Sequence, residues 1–184
     1  TPSGYSPDQV YPVFISLGGL DQRNPTNYPF GWTALENLYR KLADHFVIVP
    51  GFRGQNLTFE DRSYCSDGYF GDAYDGATDD ALRLLALVKR DYAIDPGKVR
   101  VAGFSRGGTV ALLMAARDTS IQACISMSGP SDFHNVDGYN RYGTQFRYQF
   151  LTERKPMAAL RKKMLRCSPV KFISQEGEAA TSAH

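Results

Sequence analysis

Ser105 stands in the run Gly103-Phe104-Ser105-Arg106-Gly107-Gly108, a Gly-x-Ser-x-Gly pentapeptide followed by one more glycine. A serine hydroxyl attacks an acyl carbon usefully only when the chain presents it to a cleft, beside donors for the negative charge that attack creates. This spacing supplies both. Val99-Arg100-Val101-Ala102 leads in as an apolar, strand-like segment and a helix-like segment leads out, which puts Ser105 on a sharp strand-to-helix turn. Glycines two residues to either side let the flanking backbones pass closely with no Cβ in the way. Helix onset directly after the serine aims N–H groups at the cleft, so the amide of Arg106 becomes an oxyanion donor. The pentapeptide alone also occurs as a packing turn. Its strand and helix flanks are what favour nucleophilic chemistry at Ser105.

Such a serine needs a base, and the sequence holds three histidines, His45, His134 and His184. His45 precedes a strand, at the end of the sheet away from Ser105, and reads as surface structure. His134 follows the strand that comes after the serine, on the same end of the sheet as Ser105 and beside Asp132 and Asp137. Adjacent strands lie about 4.8 Å apart, which brings this loop within reach of Ser105. His134 as base and Asp132 as acid is the pairing the spacing allows, against a plain loop cap or a solvated side chain. His184 ends a polar tail that would be held by little. Neither metal-ligand spacing nor a Gly-x-Gly-x-x-Gly turn occurs, so no metal and no cofactor are expected.

The elements that must position these residues alternate along the chain. Short apolar runs at Tyr11–Leu17, 46–49, 99–103 and 123–127 read as strands, each ended by a glycine- or proline-containing turn. Between them, residues 33–44, 78–91 and 109–117 carry leucines and valines at helical spacing. Strand, helix, strand, helix implies an α/β chain, with a parallel sheet and helices on its faces. Asp95-Pro96-Gly97 is a turn that delivers the chain into the strand before Ser105. Residues 51–75 show no periodicity and read as a long functional loop at the C-terminal end of the strands.

Composition narrows the function classes. A chain of 184 residues is one domain by length, able to bury about 70% of its unfolded surface. A net charge of +2 steers nothing, and the basic cluster Arg154, Lys155, Arg161, Lys162, Lys163 and Arg166 comes with no stacking platform, so nucleic acid is not expected as a partner. No apolar run approaches the ~20 residues of a membrane span, and no membrane association is expected. Cys65, Cys124 and Cys167 are odd in number and widely spaced, which predicts free thiols rather than disulfides or a zinc site. A cytoplasmic location is expected, with a removed leader left open because Thr1 is not a methionine.

Five runs together resemble the α/β-hydrolases of the prolyl-oligopeptidase-like branch. They are residues 11–19, the 46–54 stretch ending Pro50-Gly51-Phe52-Arg53-Gly54, the 71–80 stretch, the Ser105 pentapeptide, and Ser128-Gly129-Pro130-Ser131-Asp132-Phe133. The resemblance runs from about Val13 to Phe172. It implies a three-layer αβα sandwich with a mainly parallel sheet, and a serine hydrolase (carboxylesterase or peptidase) acting on a small ester or peptide. Leu17-Gly18-Gly19-Leu20 matches the family's oxyanion loop, with the amide of Gly19 or Leu20 as second donor; a plain strand-ending turn is the alternative. Arg53-Gly54 matches an Arg-Gly after the family's fourth strand and implies that Arg53 holds the oxyanion loop or substrate, or else a surface salt bridge. In the family the acid and histidine come from loops after two further strands, and some lipases of the wider fold take the acid from the loop that here holds Asp132 and Asp137.

By this resemblance the hydrolase core is incomplete. Residues 1–184 form a single domain with a tail at 174–184, and a sheet edge is left at 123–127 or at a short strand at 171–173. An unpaired edge is a template for another chain, which predicts a homo-oligomer. The competing reading is a core without its triad, acting as a binding or scaffold domain or arising as a truncated product.

Overall fold

Alternation of buried and half-buried residues along Tyr11–Leu17 makes β1 the centre of the sheet: Tyr11, Val13, Ile15 and Leu17 all face inward. The computed structural model describes residues 1–19, 27–28, 37–38, 40–59, 62–134, 150–151 and 155–172. β3 (Phe46–Ile48), β6 (Ile94–Phe104) and β7 (Ile121–Met127) join β1 in a four-stranded, wholly parallel sheet of order β3-β1-β6-β7. Its register sets Ile15 beside Ile48 and Val101, and Leu17 beside Gly103, so the ends of β1 and β6 finish together. Asp95-Pro96-Gly97 interrupts β6 as a bulge: Ile94 pairs with Tyr11, pairing resumes at Val99, and Asp95 accepts the Gly97 N–H at 2.9 Å.

Helices α1 (Asp75–Asp91) and α2 (Arg106–Arg117) cover one face of this sheet. Ala77, Ala81 and Leu85 from α1 and Val110, Ala111 and Met114 from α2 pack on Val13, Ile15, Val99 and Val101. Burying each large aliphatic side chain is worth about 1.5–3 kcal/mol, which makes this layer the main source of stability. A second cluster forms where α3 (Met157–Cys167) and the segment after β7 meet the start of α1. There Tyr74, Leu113, Phe133, Phe150 and Cys167 are buried, with Tyr74 and Phe150 rings 4.6 and 5.2 Å from that of Phe133. Phe104, Ile125 and Met127, on the opposite face of β6 and β7, remain 56%, 58% and 49% exposed.

Two sequence expectations change. Residues 51–75 are not simply a loop: β4 (Asn56–Phe59) and β5 (Arg62–Cys65) form an antiparallel hairpin, and the two-residue β2 (Asn27–Tyr28) pairs with β4 to make a second sheet. The hairpin lacked an alternating apolar pattern because β5 is exposed at every position. Lys171 is helical rather than in a strand, which leaves β7 as the sheet edge opposite β3 among the described residues. The helix expected at 33–44 is present at residues 37, 38, 40 and 41, and the expected tail at 174–184 lies outside the described residues. Among the described residues, no helix is long and apolar enough to cross a membrane.

All three cysteines are free thiols in graded environments: Cys65 exposed, Cys124 half-buried, Cys167 buried. Burial raises the Cys124 thiol above its ordinary value and pushes that of Cys167 up to about 12, which starves it of thiolate. Iodoacetamide at pH 8 is expected to alkylate Cys65 first, Cys124 more slowly and Cys167 only after unfolding, as read by peptide mass mapping. Alkylation of Cys167 in the folded chain at the rate of Cys65 would contradict the packing of α3.

Candidate active site

Ser105 sits where β6 becomes α2, with φ 53° and ψ −119°, a backbone conformation that a non-glycine residue rarely adopts. Such strain costs on the order of 1–3 kcal/mol and persists only when the surroundings enforce it. Here they do. The Ser105 N–H donates to the Met127 carbonyl at 2.7 Å, which ties the turn to β7, and the Ser105 carbonyl accepts the N–H groups of Gly108 at 2.9 Å and Thr109 at 3.3 Å. A Cβ on Gly103 would fall onto the Gly107 carbonyl, and one on Gly107 onto the Leu17 carbonyl, so the end of β1, the end of β6 and the first turn of α2 are in backbone contact. The half-buried Ser105 thus lies at a helix N-terminus, where N–H groups await an acceptor.

The end of β1 passes directly by this turn: a Cβ on Gly19 would lie 3.3 Å from the Ser105 Cβ. Gly19 and the main chain of Arg106 are therefore both brought to Ser105. Leu20, the other residue expected in the oxyanion loop, lies outside the described residues, as do Asp137 and His184.

The expected acid–base partners are placed differently. Asp132 Oδ1 accepts the backbone N–H of His134 at 2.8 Å, so this carboxylate closes a local turn and does not bond to the imidazole. His134 Nε2 is buried, with no hydrogen-bond partner among the described residues. The loop itself is fixed elsewhere: Thr109 donates its hydroxyl to Pro130 O at 2.6 Å, the Val170 N–H reaches Ser131 O, and the Phe133 N–H reaches Ser168 Oγ. Among the described residues no imidazole hydrogen-bonds to Ser105 Oγ. His45 Nδ1 is instead 2.7 Å from Asp44, beside the start of β3.

A family model described as "Putative esterase" matches residues 1–163. The chain belongs to this esterase family. Solved structures similar to it include acetyl xylan esterase 1 of Thermoanaerobacterium sp. JW/SL YS485, at 16% identity and TM-score 0.60, over 90% of this chain and 56% of that one. A puromycin-hydrolysing peptidase of Mycobacterium tuberculosis matches at 19% and 0.62, over 93% of this chain and 24% of that one. Fluorophosphonate-binding serine hydrolase F of Staphylococcus aureus matches at 15% and 0.59, over 97% of this chain and 66% of that one. At such identities the likeness is one of fold: the α/β-hydrolase fold, with its mainly parallel sheet flanked by helices. The esterase-family chain spans little more than half the length of the acetyl xylan esterase.

Of the readings open for Arg53, the salt bridge is the arrangement observed. Its side chain does not reach the oxyanion loop but grips the start of α1, through Nε and NH2 to the two oxygens of Asp80 at 2.9 and 2.7 Å and through NH1 to Asp72 at 2.9 Å. The Asp80 hydrogen bond raises the already high guanidinium pKa, so this clamp holds its charge at any pH that leaves its partners ionised. The guanidinium that bonds to Gly19 belongs to Arg106, whose NH2 donates to Gly19 O at 3.3 Å and to Gln55 Oε1 at 3.1 Å. Gln55, the residue after Arg53-Gly54, and Phe52, under the Arg106 guanidinium at 4.6 Å, were not foreseen as site residues. The signal was an arginine placed at a position whose neighbours must be buried.

The Arg53 clamp continues into α3, where Lys163 lies 3.3 Å from Asp72, while Asp75 pairs with Arg117 and Arg166. Burial raises the Asp72 carboxyl, but the Lys163 charge, the Gly76 N–H and the Arg53 charge together outweigh it and hold it below the usual carboxylate range. A carboxyl depressed in the folded state stabilises fully above its unfolded value near pH 4, and this contribution disappears as pH falls through the folded value. Urea unfolding should therefore show stability declining below about pH 4. Asp72→Asn should lose about 1–2 kcal/mol at pH 7 and show a shallower acid decline. Identical acid limbs in the two proteins would remove Asp72 from this role.

Proposed function

We propose that this chain provides the nucleophile and oxyanion donors of a serine carboxylesterase. The observation that carries this reading is the strained Ser105, held at φ 53° on the N-terminus of α2 with Gly19 against it. Ser105 Oγ bonds to the acyl carbon as the carbonyl π electrons move onto oxygen, and that oxyanion is met by the amides of Arg106 and of Gly19 or Leu20. The oxyanion collapses and the C–O bond to the alkoxide breaks, the alkoxide taking the proton that Ser105 gave up, relayed by water; a second water then adds to the acyl-serine, its proton returns to Ser105 Oγ as the C–Oγ bond breaks, and the acid is released. Membership of the esterase family, together with similarity to an acetyl xylan esterase, favours an ester over a peptide bond and a short acyl group over a long one.

The bonding of Asp132 and His134 sets the expected strength of this activity. Among the described residues no imidazole is bonded to Ser105, and on our reading the oxyanion donors and substrate binding act without a base. A triad-deficient site of that kind still accelerates hydrolysis ~10³–10⁴-fold over water. The chain should hydrolyse p-nitrophenyl acetate slowly and leave the corresponding anilide almost untouched. Ser105→Ala should abolish both the ester hydrolysis and covalent labelling by a fluorophosphonate, and undiminished turnover in that variant would move the nucleophile elsewhere. His134→Ala should change turnover less than about threefold, since His134 Nε2 is enclosed and without a hydrogen-bond partner among the described residues. A thousandfold loss with the fold intact would make His134 the base after all.

The same bonding supports a second reading, a core without its triad that binds rather than turns over. Absence of both ester hydrolysis and fluorophosphonate labelling in the unaltered chain would favour it.

A further inference from the structure

Arg106 is only 1% exposed, although it lies on the helix turn directly after the nucleophile, where a side chain could point into solvent. Withdrawing a guanidinium from water is costly and is recovered only through well-placed hydrogen bonds. The partners of Arg106 come from distant parts of the chain. Gly19 follows the end of β1, while Gln55 and Phe52 belong to the turn after β3. That turn is itself braced, by the Gln55 N–H on Phe52 O at 3.1 Å and the Ser66 N–H on Gln55 O at 2.9 Å. A braced acceptor and an aromatic face thus hold the guanidinium in place, and from there it reaches the Gly19 carbonyl.

We infer that the Arg106 side chain is a positioning residue that fixes the orientation of the oxyanion loop through the Gly19 carbonyl. Within the Gly19 peptide unit, a carbonyl held by Arg106 cannot swing into the place where the oxyanion forms, where it would repel the developing charge. Released, that unit can rotate and turn a carbonyl toward the place where the oxyanion needs a donor. Arg106 then serves the site twice: its main-chain amide lies at the N-terminus of α2, and its side chain holds the Gly19 carbonyl in one orientation. Gln55 and Phe52 act one step further back, by holding the guanidinium. This inference rests on Ser105 being the nucleophile.

The test combines turnover with a direct reading of the tether. Arg106→Lys keeps the charge and the stem but loses the planar fork, and Gln55→Leu removes one brace while leaving Arg106 in place. With p-nitrophenyl acetate, Arg106→Lys is expected to lower kcat about 10- to 100-fold with KM within twofold, because a misdirected donor is felt in the transition state rather than in substrate binding. Gln55→Leu should lose less than Arg106→Lys, and Gln55→Glu, which keeps an acceptor for the guanidinium, should lose less than Gln55→Leu. The Gly19 carbonyl ¹³C resonance should move in Arg106→Lys, and less in Gln55→Leu, whether or not turnover is fast. Unchanged kcat and an unmoved Gly19 resonance, in a protein whose activity Ser105→Ala abolishes, would overturn the inference and leave the nucleophile standing. Activity that survives Ser105→Ala would overturn the nucleophile and this role together. If Arg106→Lys fails to fold, the two Gln55 variants decide: equal kcat in Leu and Glu forms, with the Gly19 resonance in place, overturns it.

Discussion

The close passage of three backbones at Ser105 is the constraint on which the rest of this structure depends. A positive φ at a serine relaxes at once unless something enforces it, and here the enforcement comes from β1, β6 and β7 ending side by side while α2 departs between them. The ladder bond from Ser105 to Met127 holds one side of the turn, and the contacts of Gly103 with Gly107 and of Gly107 with Leu17 hold the other. These contacts exist only if the strands keep their order and register. The buried layer of α1 and α2 on Val13, Ile15, Val99 and Val101 is thus what maintains the strain at the site.

Two buried or half-buried arginines divide the work of fixing the loops around this turn. Arg53 binds two carboxylates at the start of α1, and through Asp72 and Lys163 that clamp extends to α3. Arg106 bonds to a carbonyl and an amide and has an aromatic ring beneath it. The difference in partners matters. A carboxylate attracts a guanidinium over distance and tolerates some movement, whereas neutral acceptors bind it through short-range directional bonds that specify geometry. The first arrangement suits holding helices together, and the second suits holding a peptide unit in one orientation.

The structure leaves one side of the sheet open among the described residues. β7 is its edge, and Phe104, Ile125 and Met127 are exposed on the face opposite α1 and α2. The similar hydrolase structures are longer, with 56% to 66% of two of them matched by this chain. The exposed residues belong to the strands that carry Ser105, so whatever covers that face bears on the rigidity of the turn.

How much of this was legible in the sequence follows from the range over which each feature is determined. The alternation in Tyr11–Leu17, the helical spacing in 78–91 and the glycines around Ser105 act within a few residues, and from them the strands, the helices and the turn could be read directly. The hairpin within 51–75 escaped because β5 is wholly exposed and so carries no buried alternation. The roles of the arginines escaped for a different reason. Arg106 and Gly19 are 87 residues apart, and nothing local distinguishes a guanidinium that will meet a carbonyl from one that will meet an aspartate. The same holds for Asp132 and His134, whose adjacency allowed either an acid–base pair or a loop cap; the fold of the loop gives the cap, with Asp132 Oδ1 accepting the His134 N–H. Sequence by itself determined the strained serine and the class of sheet that carries it, since both rest on local backbone sterics and periodic burial. Only the tertiary structure decided which side chains face that serine, because that depends on the order and register in which distant strands pair.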